Sequence, residues 1–483
     1  MTQDSKPPVP GRTTTLTLLT DWPLSKPNRD LNGDQKAAVI GGVRRHVQSS
    51  ANRKALWRRV LVPGSLRWLA EASPDYAGRF TMSVRTKYVA DKLIADPMLA
   101  MPDVVESLDR LGIEPAMRRT RLEALGSAVF DVLQKGGGKD KGSGNKAKAT
   151  TNKAKVEEED ADPTAATPDR EETKRAIAAY GLREMQELRQ ILASRLAEAK
   201  TWDAVLAPTK RGADAEPGLA DLLAQDDKLA ALWGLSRLER LGIDGALFGT
   251  MVTKEDYRVA APSAVQVSHS ITVHRAFDFE TLEIARDDLE DGRSAAILLD
   301  ASYASGLYLT SVTIDHAQLV ENVMAPEVSP KKGKWQERIR FRSWVHASKA
   351  DVQIAGELAR AVVVSVLYAT DHAMRTQTNA RVMPAYVLAE TGTRGTLNHA
   401  GAFTEPVDGR RTNSILRDAV GKLREVAMRY DQAYAIVDER VELVVAPDAD
   451  TADKPKLWKA EHVATAEALA DWVQKQLRPA PGG

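Results

Sequence analysis

Residues 28–59 read NRDLNGDQKAAVIGGVRRHVQSSANRKALWRR, and the assignment of the fold turns on this stretch. It carries eight Lys and Arg against two Asp, in a chain whose 67 Lys and Arg nearly balance 66 Asp and Glu for a net charge of +1. A protein without an overall positive field meets a polyanion only through such a local cluster. Gly41-Gly42 leaves room for a backbone to come close, because no Cβ stands there. Arg44 and Arg45 can fork onto phosphate oxygens. Ser49 or Ser50 can accept first-turn N–H groups of a following helix, whose N-terminus favours an anion. That helix should end before Pro63-Gly64. It sets Lys54 and Arg58 four residues apart on one face, with Leu56 and Val60 on the other. Contacts of this kind hold a phosphate backbone without reading its sequence. Charge and glycine spacing by themselves fit a solvated surface helix equally well.

Outward from this stretch, strands and helices mix without regular alternation, which predicts an α+β fold. A strand should begin near Thr15, where Leu16 and Leu18 alternate with threonines. Residues 21–33 read as loop. Helix is expected over about 87–134, with breaks near Pro97, Pro102 and Gly112. Residues 136–155 are rich in Gly, Lys, Ala and Thr, and 156–172 are acidic with two prolines. Neither half can bury enough apolar surface to order itself, so the pair predicts a flexible linker. Helical periodicity returns over 174–241. Residues 264–274 (AVQVSHSITVH) place Val265, Val267, Ile271 and Val273 at odd positions and polar residues at even ones, the pattern of a half-buried strand. A charged excursion over 275–300 precedes a strand at 306–314. A helix over 351–370, a strand over 383–390 and an amphipathic helix over 456–477 complete the expectation.

Several chemistries find no support. There is no cysteine among the 483 residues, which removes disulfides, thiolate nucleophiles and cysteine-held zinc and fits a reducing, cytoplasmic setting. No run approaches the roughly 18 apolar residues a membrane helix needs. HExxH, GxSxG and P-loop signatures do not occur. Asp287-Asp288 reads as a solvated loop rather than a metal site. His269 and His274 fall on opposite strand faces, and His269, between Val267 and Ile271, reads as a core histidine rather than a ligand.

Four ordered blocks between residues 28 and 390 resemble the CasC family, the repeating backbone subunit of type I-E CRISPR Cascade complexes. The first is met by Asn28-Arg29-Asp30, Lys36, Val39-Ile40, Gly41-Gly42, Arg44-Arg45, Ser49-Ser50, Lys54 and Arg58. The second is ALFGTMV at 246–252. The third is AVQVSHSITVH at 264–274, followed by Asp287-Asp288-Leu289 and Ser305-Gly306-Leu307-Tyr308. The fourth is 373–388, ending in Arg-x-x-Pro-Ala-Tyr. The resemblance implies an RRM-like (ferredoxin-like) palm with a helical fingers insertion and a protruding thumb. Combined with the composition, which gives a disordered N-terminus (1–14) and the linker (135–172) outside the resemblance, this places a first palm part with fingers helices at 15–134. A helical insertion (173–245) and a second palm part (246–483), with the thumb at about 275–305, follow.

What the resemblance implies in function is a non-enzymatic subunit that stacks along crRNA, kinks it at intervals and presents it to target DNA. The partners implied are crRNA, target DNA through the guide, copies of the chain itself and the other Cascade subunits: large subunit, small subunit, crRNA 5′-end cap subunit and crRNA-processing endoribonuclease. No cofactor, metal or membrane is implied. By position, Lys36, Gly41, Gly42, Arg44, Arg45, Ser49, Ser50, Lys54 and Arg58 would line the crRNA, Met251 would wedge against a base, and Arg375 would add charge. Leu282 and Glu283 stand where the family carries an aromatic pair, so Leu282 or Ile284 would serve at the guide kink. Ala51 stands at a common Gln, and Met374 at a usual Lys. Ordinary RRM aromatic motifs are absent, which argues against base stacking on the sheet face. Two alternatives remain: a type III-like backbone subunit cutting RNA through Asp30 or Asp34, and a stand-alone RNA-binding protein.

Overall fold

The structure, a computed structural model, describes residues 12–30, 33–73, 81–86, 94–135, 178–202, 205, 234–250, 261–286, 295–329, 339–369, 378–408 and 414–477. The chain opens on β1 (Thr13–Ser25), the β2 (Ala37–Ile40) and β3 (Val43–Gln48) hairpin, α1 (Ser50–Trp57) and α2 (Leu66–Glu71). β4 (Val84–Thr86) leads to α3 (Asp96–Leu99), α4 (Pro102–Arg110) and α5 (Pro115–Lys135). β5 (Ala178–Tyr180), α6 (Leu182–Glu198) and α7 (Arg237–Phe248) follow. Next come β6 (Val265–Val267), β7 (Ser270–Thr272), β8 (Phe277–Arg286) and the long β9 (Ala295–Asp315). Then come α8 (His316–Val323), β10 (Glu327–Val328), β11 (Ile339–Arg340) and α9 (Lys349–Tyr368). The chain closes on β12 (Tyr386–Gly392), α10 (Ile415–Tyr434), β13 (Glu439–Val444), α11 (Pro447–Asp450), β14 (Glu461–His462) and α12 (Ala466–Gln476).

One mixed sheet runs β14-β13-β12-β1-β9-β7-β3-β2, with β6 and β8 also paired to β9. Its middle, β12-β1-β9-β7, is antiparallel throughout. In chain order these strands stand fourth, first, third and second, the arrangement of a ferredoxin-like βαββαβ unit, with α9 as the second crossover. The α+β expectation therefore holds. Period-two sequence explains why β1 sits at the centre. Leu16 and Leu18 enter one core with α1, α2, α7, α8, α9 and α12, while Leu19 enters another beneath α10. Both sheet faces are covered, so the sheet surface is interior on the α10 side as well. α9 is capped by a reciprocal Ser348–Asp351 box, and its run Ala361–Leu367 is buried all round.

A separate core joins α3, α4 and α5 to α6 through Ile94, Met98, Leu108, Leu122, Leu188 and Leu192. Helices on both sides of the expected linker thus share one apolar interior. α7 ties this unit to the core beneath the sheet: its kink at Gly242 (φ +73) leaves no space for a Cβ, which would stand 2.6 Å from the Thr81 carbonyl oxygen.

Several boundaries differ from the sequence expectation. β1 begins at Thr13, so Thr13 and Thr14 belong to the sheet, and it runs on to Ser25 into the expected loop. Residues 37–48 form a hairpin that the basic reading of this stretch passed over. β12 starts after Pro384, which has no N–H for the ladder. The final helix begins only at Ala466, capped by Thr465, because residues 456–464 supply a turn and β14. Residues 1–11 and 136–172 lie outside the described residues. No described helix is long and apolar enough to cross a membrane.

The strand at 264–274 is broken. Val267 pairs with Val312, but Ile271 pairs with Leu309, so four steps on one strand match three on the other. This one-residue bulge reverses the faces. Gln266 is exposed before it, whereas Ser270, Thr272 and His274 are buried after it.

Candidate nucleic-acid interface

Asn28 is the hub of the basic stretch. Its carbonyl accepts from the Lys36 N–H at 2.8 Å, and its Oδ1 accepts from the Ser49 N–H at 2.8 Å. The Lys36 carbonyl in turn accepts from the Val47 N–H at 2.8 Å. These bonds set the exposed Lys36 beside the start of α1, with Arg29 exposed next to it. Ser49 is the N-cap, its Oγ accepting from the Asn52 N–H at 3.2 Å. The Ser50 N–H donates to His269 Nδ1 at 3.1 Å. Two first-turn donors are therefore spent within the chain, and the N-terminus of α1 is less open to an anion than its sequence implies. His269 is exposed, not a core residue. The bulge turns it outward to reach Ser50.

The hairpin turn is Gly41-Gly42, with φ of +59° and +76°, the two-residue turn that matches strand twist. The two glycines differ. A Cβ on Gly41 would run into the Thr404 carbonyl oxygen, whereas nothing lies within 4 Å of one on Gly42. The close approach at Gly41 is made by the protein's own backbone. Gly41→Ala is expected to lower stability by more than 2 kcal/mol, and Gly42→Ala only by the left-handed penalty of about 1 kcal/mol. Urea unfolding measures both; equal losses would contradict the packing role.

After the turn the two arginines part. Arg44 is 52% exposed and pairs with Asp278 on β8. Arg45 is fully buried and donates to the carbonyls of Thr272 (2.7 Å) and Phe403 (2.8 Å). Burial lowers its pKa from the ordinary arginine value. This corrects the expectation for Arg45: its donors close the structure and do not face a ligand. Asp278 also holds the buried His46 Nε2 at 2.7 Å. Burial keeps the His46 imidazole below its usual range, with Asp278 opposing.

Lys54 and Arg58 part in the same way. Lys54 is half-buried, its ammonium 5.7 Å from the centre of the Phe248 ring. Arg58 caps α1 at its C-terminus, and its Nε lies 2.6 Å from the fully buried carboxylate of Asp244 on α7. Asp244 also accepts from the N–H and the hydroxyl of Ser83, each at 2.6 Å. Arg58 is thus a strut between α1 and α7, a second correction to the phosphate-facing set.

β8 and β9 form a two-stranded ribbon from Phe277↔Ser305 to Arg286↔Ala295. Leu282 and Ile284 lie in its β8 strand, paired with Asp300 and Leu298. At its root His274 is buried, Nδ1 donating to the Arg275 carbonyl at 2.6 Å and Nε2 accepting from the Leu307 N–H at 3.0 Å. Burial lowers its pKa. Phe277 and Phe279 are exposed on the ribbon; their i, i+2 spacing was the signal available in the sequence. Met251, Asp287-Asp288 and Arg375 lie outside the described residues. Among the described residues the hairpin thus carries exposed cations at both ends, Arg29 and Lys36 beside α1 and the Asp278-paired Arg44 next to the turn, with the half-buried Lys54 on α1.

A chain of a "CRISPR RNA-guided surveillance complex, pre-nicking" is similar to this one, with a TM-score of 0.60 and 17% identity over 96% of this chain and 100% of that one. A chain of a second "CRISPR RNA-guided surveillance complex" gives 0.47 and 14%, over 96% and 98%. No curated protein matches. The model of the CT1975-like protein family matches residues 15–475, which takes in the whole described sheet apart from the first residues of β1 and every candidate residue above. This chain belongs to the CT1975-like protein family of CRISPR-associated (Cas) proteins.

Proposed function

We propose that this chain is the crRNA-binding backbone subunit of a CRISPR surveillance complex of the type I-E kind. Copies stack along the guide, hold its phosphates and leave sequence reading to base pairing with target DNA. The large, small, 5′-end cap and RNA-processing subunits are its expected partners. The observation that carries this reading is the cationic edge: Lys36 and Arg29 held beside the N-terminus of α1 by Asn28, and Arg44 at the far end of the same hairpin. Point charges and forked donors on a rigid hairpin suit a phosphate backbone. The sheet face, covered by α10, does not offer an RRM-type stacking surface.

Binding of single-stranded RNA should be indifferent to sequence and fall steeply with salt, as counterion release requires. Fluorescence anisotropy with two unrelated RNAs across a salt series tests this. A strong preference for one nucleotide, or a flat salt dependence, would count against it. We further propose that the subunit does not cleave: complementary RNA incubated with the RNA-bound protein and Mg²⁺ should stay intact. Regularly spaced cuts would favour the endoribonuclease reading through Asp30 or Asp34. A protein that stays monomeric on RNA of increasing length would favour a stand-alone RNA-binding role.

A further inference from the structure

The far edge of the sheet, beyond β13, carries a cleft that the RNA-binding reading does not use. β14 pairs with β13 only at Val441 and Glu442, so Glu439 and Arg440 have no described strand on that side. A cleft of about 570 Å³ opens there, with the half-buried Trp458 and Trp472 in its lining. Each indole is held by the protein on one side. The Arg440 guanidinium lies 4.3 Å from the Trp458 ring centre, and Trp472 packs on the core shared by α9 and α12. The charges of the lining balance, with Asp438, Glu439 and Glu461 against Arg440, Lys454 and Lys459. Two indoles in a lining without net charge have no field to draw in a polyanion. They suit a stiff apolar chain.

Such a chain starts at the rim. Arg12, the first described residue, donates from its guanidinium to Gln476 Oε1 on α12 at 2.8 Å and lies 3.6 Å from Glu439. The strand register agrees. Thr14 pairs with Thr391 and Thr391 with Glu439, which sets the start of β1 two strands, about 10 Å, from β13. Directly before Arg12 the sequence reads Lys6-Pro7-Pro8-Val9-Pro10-Gly11. Prolines three apart fall on one side of a polyproline II helix, which docks on aromatic-lined grooves with little entropy left to lose.

We propose that residues 6–10 dock in the cleft of their own chain against Trp458 and Trp472, as a strap over the open edge of β13. Pro7 to Pro10 span about 9 Å, at about 3.1 Å per residue, and Gly11 lets the chain turn between β1 and the strap. The exposed carboxylates of Asp438 and Glu461 are there for Lys6. Proline offers no N–H to a further strand, so the strap closes an edge that could otherwise pair with another chain. The C-terminal residues 478–483 (RPAPGG) fit less well, because Pro479 and Pro481 are two apart and fall on different sides of such a helix.

The strap is independent of RNA binding and is tested in the full chain. Because the chain has no cysteine, Ser5→Cys carries a single dye of the kind quenched by contact with indole. Its emission should be quenched to the same degree at every protein concentration. Pro7→Ala/Pro10→Ala, which leaves every described residue unchanged, should raise the emission severalfold. So should Trp458→Phe with Trp472→Phe, which keeps aromatic packing and removes the quencher, whereas Trp202→Phe in the helical unit should change nothing. A free peptide of residues 1–11 should bind the Pro7→Ala/Pro10→Ala variant about 10-fold or more tighter than the parent, because a tethered segment competes at millimolar effective concentration. Emission that ignores the proline substitutions or the two tryptophans overturns the strap, and so does equal peptide affinity for parent and variant. Quenching that grows with protein concentration puts the segment on a second copy instead. Quenching of a dye at Gly483→Cys, with none at Ser5→Cys, gives the cleft to residues 478–483. Either result overturns the proposal.

Discussion

Arg58→Glu is expected to destabilise the α1–α7 junction by about 4 kcal/mol or more, lowering the melting temperature by roughly 10 °C. Asp244 is wholly buried, and its carboxylate meets Arg58 and both donors of Ser83. Removing one partner of such a pair leaves a charge without compensation in a poorly solvating interior, which costs about 3–5 kcal/mol. Glutamate adds like-charge repulsion at the same spot. Arg58 is 21% exposed, so water softens the effect without cancelling it. The neutral pair Arg58→Gln/Asp244→Asn should recover most of the loss, a coupling that a double-mutant cycle reads directly. A melting temperature for Arg58→Glu within 2 °C of the parent would remove Arg58 from the fold's framework. The consequence for function is practical. Lost RNA in an Arg58 variant reports a failed junction, not a missing phosphate ligand.

The second large effect lies in binding. Lys36→Glu with Lys54→Glu is expected to cut RNA affinity by 10²- to 10³-fold while leaving the melting temperature nearly unchanged. Each charge-assisted contact is worth about 1.5–3 kcal/mol, and the two reversals remove two. Lys36 holds its place through backbone bonds that any side chain preserves. The half-buried Lys54 has its ammonium over the Phe248 ring, a contact worth about 0.5–1 kcal/mol. The salt dependence should flatten by about 1.4 in logarithmic slope, about 0.7 for each lost phosphate contact on a single strand. RNA recovered with the purified double variant at the parent's absorbance ratio would refute the assignment of this edge. Arg44 belongs to the same edge, and its removal should act more mildly, because Asp278 already offsets much of its charge.

Short-range signals in the sequence led to structure where the determining forces are themselves short-range. Ser49 caps α1 because a serine oxygen three residues before a free N–H closes that bond locally. Gly41-Gly42 makes the hairpin turn because only glycine enters two successive left-handed conformations cheaply. Leu16 and Leu18 face one core and Leu19 the other because strands alternate. The smooth alternation of 264–274 misled, since a single inserted residue shifts the register and exchanges the faces.

Within residues 28–59, what can be known from the residues alone is that charge is concentrated, that a turn and a capped helix are present, and that these could hold a polyanion. Which cations remain outside depends on groups far away in sequence. Arg45 is withdrawn by the carbonyl of Phe403, 358 positions on. Arg58 is withdrawn by Asp244 on a helix of the second half. Arg44 and Arg45 are adjacent and chemically identical, yet one is exposed and the other buried, because neighbouring strand residues point to opposite faces and only the folded sheet supplies a partner on the inner one. A guanidinium carries its charge wherever it lies. Its role is set by whether tertiary structure brings a carbonyl or carboxylate to it, or leaves it facing water.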